Sequence, residues 1–400
     1  MEKPIKLAVV VPSSLPIPSV KGGAIETLMD TLILENEKQG CLELTVYCQK
    51  NREAKEQAKI LRNTKVVYLN GEGFCARVFS FIRNLKNRKG QNYFTSYFLY
   101  KACKKIKKQT VEAVVIEGTH AVSEAVKHYT KKKTILHLHN EFNPTTPRAK
   151  EKAKCIDAYL TVSDYIKEQA CLVEGVEEDA VFTVHNCTNH NKFNKDLYIS
   201  EGKAIRQKYN LAENDVLVLF SGRITPEKGV LELTKAILRL PDNIKLLILG
   251  KPSFEDGKET EYSKTINELA TQSNGKVIVS GFIPYKDIPY YHAACDIAVV
   301  PSTWNEPAAL VVFEALASGL PLIISHSGGM IEYANENCAI IVPRDKNVLT
   351  EELMVAIQML ANDENKRNIM AKSGRDFIKK FDTGNYYREY VEGINKCINK

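Results

Sequence analysis

Four charged residues of this chain have the types and spacing for chemistry on a diphosphate: Arg223 and Lys228, then Glu306 and Glu314. A guanidinium and an ammonium in one loop, SGRITPEKG, can clamp a diphosphate and stabilise its charge as it leaves. On helical rise, the eight positions between the glutamates span about 12 Å. That is the reach from the sugar to the ribose of a nucleotide sugar. Taken singly, each residue also has a plain reading as a solvated helix glutamate, a helix-capping charge or a surface loop cation.

The elements around them set the context. Residues 296–302 (DIAVVPS) form a short apolar run rich in β-branched residues, which reads as a buried parallel strand. From Pro307 the pattern is that of a helix ending at Gly319 and Pro321. A strand end, a loop and a helix start therefore meet at Glu306, the place where open parallel sheets bind ligands and where free N–H groups favour phosphate. Arg223 and Lys228 follow the strand at 216–222 in the same way.

The first half offers a second group. Lys21-Gly22-Gly23-Ala24 follows the first strand and opens a helix carrying Glu26, and adjacent glycines there allow close backbone approach to a ligand. VVIEGTH places Glu117 and His120 at the end of a fourth strand, and ILHLHNEF places His137, His139 and Asn140 at the end of a fifth. Alternation puts His137 and His139 on one side of that strand, with His139 further along it. No helical histidine pair or thiolate pair completes a zinc site, so no metal is expected. The string at 71–76 fits G-x-G-x-x-A, but no acid follows from Phe74 to Val111 to bind a ribose, so it reads as a loop.

Glu306 to Glu314 resembles the E-x7-E signature of family 4 retaining glycosyltransferases (glycosyl transferases group 1, GT-B fold), and LASGLPLIISHSGGMIEY is similar to that family's continuation. SGRITPEKG is similar to its donor-phosphate motif, and the Gly22-Gly23 loop resembles its glycine-rich first loop. Two positions depart from the pattern: Ala309 and Cys187 stand where glycine is usual, and Ala309 narrows the space beside the sugar. The resemblance implies that Glu314 holds the ribose hydroxyls, Arg223 and Lys228 the diphosphate with backbone groups of Leu310 and Val311, and Glu306 the sugar hydroxyls. Relatives often carry a histidine after the fourth strand. Here Glu117 takes that place by register and His120 lies three residues on, so Glu117, His120 and His139 are the candidates to orient sugar and acceptor.

Composition bounds these expectations. Four hundred residues exceed one core and suggest two domains. Ten cysteines are scattered singly and read as free thiols in a reducing compartment. No apolar run is long enough to span a membrane and the start reads as a strand, so a cytoplasmic protein is expected. Of the net charge of +7, residues 1–200 hold +9 and residues 201–400 hold −2. From Arg77 to Lys108 there are ten basic residues and no acid, interleaved with Phe79, Phe81, Tyr93, Phe94, Tyr97, Phe98 and Tyr100. That mixture suits an anionic membrane surface at the inner leaflet or nucleic acid, with a solvated helix face as the plain alternative. The membrane is the reading adopted, with no nucleic acid.

The expected architecture is α/β: two Rossmann-like doubly wound domains facing across a cleft. Residues 1–195 are the acceptor side, 196–381 the nucleotide-sugar side, and 382–400 a helix crossing back to the first domain. The strand candidates are 5–11, 43–48, 65–69, 113–117, 133–138, 156–161 and 180–184, then 216–222, 244–250, 276–281, 296–302, 321–326 and 338–343. The expected activity is retaining transfer of a hexose-type sugar from a nucleoside diphosphate donor, UDP first, to a lipid-linked or oligosaccharide acceptor in cell-surface polysaccharide or glycolipid synthesis. No D-x-D occurs, so a metal-free site with no further cofactor is expected. A nucleotide-sugar 2-epimerase of the same fold, or an idle nucleotide-sugar-binding or scaffold protein, are the alternatives.

Overall fold

A computed structural model describes residues 3–87, 96–252 and 259–400. The apolar runs become parallel strands because Val, Ile and Leu pack well on both faces of a sheet covered by helices. Among the described residues one sheet has the order β3-β2-β1-β4-β5-β6-β7 and the other β10-β9-β8-β11-β12-β13. In the first, β1 is Ile5–Val10, β2 Leu42–Gln49, β3 Thr64–Leu69, β4 Ala113–Glu117, β5 Thr134–Leu138, β6 Ala158–Thr161 and β7 Val181–Thr183. In the second, β8 is Val216–Ser221, β9 Ile244–Leu249, β10 Val277–Gly281, β11 Ile297–Val300, β12 Leu322–Ser325 and β13 Ala339–Val342. Every residue of β4, β5, β11 and β12 is buried, as strands at the middle of a doubly wound sheet must be.

The chain divides into two compact units. Unit 1 is Met1–Asn186 with Thr383–Lys400, and unit 2 is Cys187–Asp382. The helices that matter below are α1 (Ala24–Gln39), α2 (Phe74–Asn87), α3 (Tyr97–Ile106), α4 (Val230–Arg239), α5 (Leu310–Ser318) and α6 (Thr383–Asn399). The terminal α6 is held within unit 1 by specific bonds: Tyr387 donates its hydroxyl to Asn36 Oδ1 at 2.6 Å and accepts the Cys41 N–H at 3.1 Å. Asn36 is itself fully buried and exchanges two bonds of 3.0 Å with the Leu42 backbone, so α1, β2 and α6 share one polar anchor. In unit 2, α4 packs Val230, Leu233, Ala236 and Ile237 into a core shared with Val218, Leu246, Ile248 and Ile297.

In each sheet the direction of winding reverses beside the first strand, between β1 and β4 and between β8 and β11. Connections on either side of such a point run to opposite faces, which opens a crevice at the carboxyl ends of the two strands. The Gly22-Gly23 loop follows β1 and Glu117 ends β4, while Arg223 and Lys228 follow β8 and Glu306 follows β11. Both groups of candidate residues thus lie where the topology of their own sheet places a ligand.

Candidate active site

In unit 2 the chain leaves β11 through Pro301 and Ser302 and reaches Glu306 before any helix begins. The helical pattern read from Pro307 starts only at Leu310. The reason lies across the sheet: Glu306 N–H donates to Ser327 Oγ at 3.1 Å and its carbonyl accepts Gly329 N–H at 2.8 Å. Those bonds tie Glu306 to the loop after β12, leaving Ala309 as the residue before the first helical turn, with no side-chain cap. Gly328 has φ +48°, and a Cβ there would lie 2.4 Å from the Glu306 carbonyl oxygen, so only glycine permits this closure. Leu310 and Val311 occupy the first turn of α5, where a helix supplies no acceptor for its N–H groups.

Glu306 is 3% exposed, and its side chain points back to β11. Its Oε1 accepts the Ser302 hydroxyl and pairs with Lys228 Nζ at 2.6 Å. Lys228 ends the 3-10 turn Pro226–Lys228 and also lies 5.4 Å from the centre of the Trp304 ring. Arg223 is more open, and its nearest ion pair is with Glu227 at 3.5 Å. One cation is therefore desolvated against a carboxylate and the other remains half in water, an arrangement able to receive a diphosphate.

Glu314 sits one turn further along α5 and is buried. Burial pushes its carboxyl up to about 7, opposed by a hydrogen bond with Tyr285 and by the charge of Lys192. Lys192 Nζ lies over the Tyr285 ring at 3.5 Å, so the three side chains form one cluster. A carboxyl poised near neutrality beside a phenol can accept paired hydroxyls when ionised.

In unit 1, parallel pairing places Glu117 opposite His137. Alternation then brings His139 to the same face, and both rings meet one oxygen: Glu117 Oε2 is 2.9 Å from His137 Nδ1 and 3.0 Å from His139 Nε2. Burial alone would raise the Glu117 carboxyl, but the His137 charge and the two hydrogen bonds bring it down to about 2. Burial and the neighbouring His137 lower His139 to about 4. A neutral His139 that donates from Nε2 keeps Nδ1 as an acceptor. The three ligand atoms lie within 4.8 Å of one another, so this trio is also the donor set that could hold a small cation. Tyr390 of α6 closes the cluster, its ring 5.8 Å from that of His137.

His120 is separate from this trio. It starts the 3-10 turn His120–Val122 and stacks on Phe142 at 5.0 Å, and burial with the charge of Lys152 lowers it to about 4. Gly22 and Gly23 both have positive φ, and a Cβ on Gly23 would lie 2.1 Å from Glu26 Oε2. Glu26 is buried and accepts the Ser13 hydroxyl at 2.6 Å; burial raises its carboxyl, Ser13 opposes that, and the charge of Glu117 adds to it. The glycine loop, Glu26 and the Glu117 trio thus form one electrostatically linked group.

Residues 202–377 match the family model described as Glycosyl transferases group 1. Residues 202–377 are a group 1 glycosyltransferase domain. This group 1 domain contains Arg223, Lys228, Glu306, Leu310, Val311 and Glu314, and group 1 enzymes use nucleotide-sugar donors. Over longer spans, the chain is 27% identical to YtcC of Bacillus subtilis, a protein named as a glycosyltransferase, covering 98% of this chain and 92% of that one. It is 25% identical to the lipopolysaccharide 1,2-N-acetylglucosaminetransferase of Salmonella typhimurium, covering 93% and 94%. Among solved structures, HepE of Anabaena in complex with UDP and glucose superposes with a TM-score of 0.76 at 17% identity, covering 98% and 99%. The fold is GT-B.

Several residues that support the charges of this site escaped the sequence reading. Ser302 and Ser327 carry no pattern that distinguishes them from loop serines; Ser302 meets Glu306 four positions along the same loop, and Ser327 meets it only after β11 and β12 pair. Tyr285 and Lys192 reach Glu314 from segments 29 and 122 residues away, with no local signal at either. In unit 1, Tyr390 had only its place in a terminal helix.

Proposed function

We propose that the protein is a retaining, metal-independent glycosyltransferase that moves a hexose-type sugar from UDP to an acceptor hydroxyl in cell-surface polysaccharide or glycolipid synthesis. The observation that carries this reading is the Lys228–Glu306 pair of 2.6 Å beside the uncapped start of α5. An ammonium and first-turn N–H groups suit the diphosphate, and the carboxylate beside them suits sugar hydroxyls. Glu314 takes the ribose, and Arg223 adds the second cation. Ala309, buried ahead of α5, bounds the space for the sugar. The UDP and glucose of the HepE complex, and the lipopolysaccharide transferase of Salmonella typhimurium, support the donor class and the acceptor class.

In the reaction the acceptor oxygen bonds to the anomeric carbon on the face from which the phosphate oxygen departs. The C–O bond to phosphate breaks, and the acceptor proton passes to that departing oxygen. Lys228 and Arg223 stabilise the charge that grows there. Glu117, His139 and His120 orient sugar and acceptor, with the Gly22-Gly23 loop alongside, and an oligosaccharide or lipid-linked acceptor supplies the hydroxyl. The test is turnover of a panel of nucleotide sugars with and without acceptors, with anomeric configuration read by NMR. Retention and acceptor-dependent turnover of UDP-sugars are expected. An inverted product, or conversion of the donor to its 2-epimer without acceptor, overturns the reading.

A further inference from the structure

The segment rich in bases and aromatics divides, in the fold, into residues that are spent and residues that are not. Phe79 of α2 packs on Tyr97 and Tyr100 of α3 at 5.5 and 5.0 Å, and Phe98 is buried. Residues 88–95, with Tyr93 and Phe94, lie outside the described residues. Another face of α2 carries Phe74, Val78, Phe81 and Ile82, which are 80%, 42%, 66% and 43% exposed. Their spacing, i, i+4, i+7 and i+8, puts them on one stripe about 100° wide. Single exposed apolar residues are ordinary, but a contiguous stripe on one helix marks a surface that something covers.

The surrounding charge says what covers it. Arg77 is exposed on α2, and Lys104, Lys105, Lys107 and Lys108 are exposed on α3 and the turn after it. No acid stands between Glu72 and Glu112. A second copy of this chain would set cation against cation across the stripe, which disfavours self-association. Nucleic acid would use flat rings for stacking, whereas Val78 and Ile82 have none. Apolar side chains beside lysines are the composition of a helix that lies in the plane of an anionic bilayer.

We propose that α2 is an interfacial helix that seats Phe74, Val78, Phe81 and Ile82 at the headgroup–acyl boundary of an anionic membrane, with Arg77 and Lys104, Lys105, Lys107 and Lys108 over the phosphates. This docking rests on unit 1 alone and not on the donor chemistry, so nucleotide-sugar binding is unaffected by its loss.

The experiment is flotation of the full chain with phosphatidylcholine vesicles, with and without phosphatidylglycerol, at low and high salt. Binding only to the anionic vesicles is expected, weakened by salt. Reversal to glutamate at the four lysines is expected to lower it by about fivefold or more per residue. Phe74→Ser with Phe81→Ser is expected to lower it by about tenfold or more, with Tm unchanged. Should that pair fail to fold, Phe81→Trp keeps the ring, and its emission moves to the blue when anionic vesicles are added. Equal flotation with neutral vesicles, no flotation at all, wild-type binding by the Phe74→Ser/Phe81→Ser protein, or light scattering showing a dimer that the same changes dissolve, each overturns the proposal.

Discussion

Lys228 and Glu306 hold each other at 2.6 Å with the carboxylate almost out of solvent, so each charge is the other's main compensation. Removing one partner of such a pair leaves a buried charge alone, which costs about 3 kcal/mol. Lys228→Ala is therefore expected to lower both Tm and turnover, with the loss of turnover worth about 3 kcal/mol because the leaving charge is largest in the transition state. The double change Lys228→Met with Glu306→Gln should recover Tm but not turnover, as calorimetry and steady-state kinetics would show; an unchanged turnover number in Lys228→Ala removes the residue from the clamp. Glu314 carries a second expectation. Its carboxyl is raised to about 7, so the folded state binds that proton more tightly than the unfolded chain does. The resulting stability is present at low pH and is lost as pH rises through about 7. Ribose hydroxyls are best accepted by the ionised form, so nucleotide affinity measured by titration calorimetry should rise across the same range. In Glu314→Gln the affinity should be weak and flat with pH; a slope that persists would exclude Glu314 as its source.

Strand ends do what single residues cannot. The pairing of β4 with β5 sets Glu117 beside His137, and two residues further along the chain His139 comes to the same oxygen. The consequence is acid sensitivity. His139, lowered to about 4, stays neutral in the folded state while the unfolded chain takes up its proton near the ordinary value of 6.5. Glu117, lowered to about 2, must stay ionised while the unfolded carboxyl protonates near 4.5. Stability is thus lost as pH falls from 6.5 towards 4 through His139, by ~3 kcal/mol if the whole shift acts on folding, and further below that through Glu117. Glu314 gains stability over part of the same interval, so the His139 contribution is read by difference: between pH 7 and pH 4 the Tm of wild type should fall relative to that of His139→Gln. An identical pH dependence of Tm in the two proteins would falsify the coupling.

At the scale of the molecule, both sheets put their charged loops at the point where winding reverses, and the group 1 domain covers the second of these. Binding there should stabilise the folded chain by mass action. Uridine diphosphate at about one hundred times its Kd is expected to add ~2.7 kcal/mol, read as a rise in Tm, whereas an equal rise with every nucleoside diphosphate would mean that the base is not distinguished. Activity is expected to persist in EDTA, since the chain carries no D-x-D and has Arg223 and Lys228 to face the diphosphate. Loss in EDTA that Mg²⁺ restores would sink the metal-free proposal.

Local order was written in the sequence. β-branched runs such as 113–117 and 296–302 are strands because burial on both faces leaves such segments no better state, and the turn from strand to cationic loop at Gly222 and Arg223 follows directly. The charged types at 223, 228 and 306 were legible for the same reason, since strand and loop patterns located them after strand ends, and helical spacing placed Glu314 on the helix that follows. Pairings between distant segments were not legible. Lys228 meets Glu306 across 78 positions, Glu117 meets two imidazoles through strand register, and Tyr390 reaches His137 from the terminal helix. Nor could periodicity tell Phe79, which packs inside, from Phe81, which stays outside. Periodicity is a property of neighbours along the chain, whereas register, crossover and the tie of Glu306 to Ser327 and Gly329 are decided by which segments the two sheets bring together.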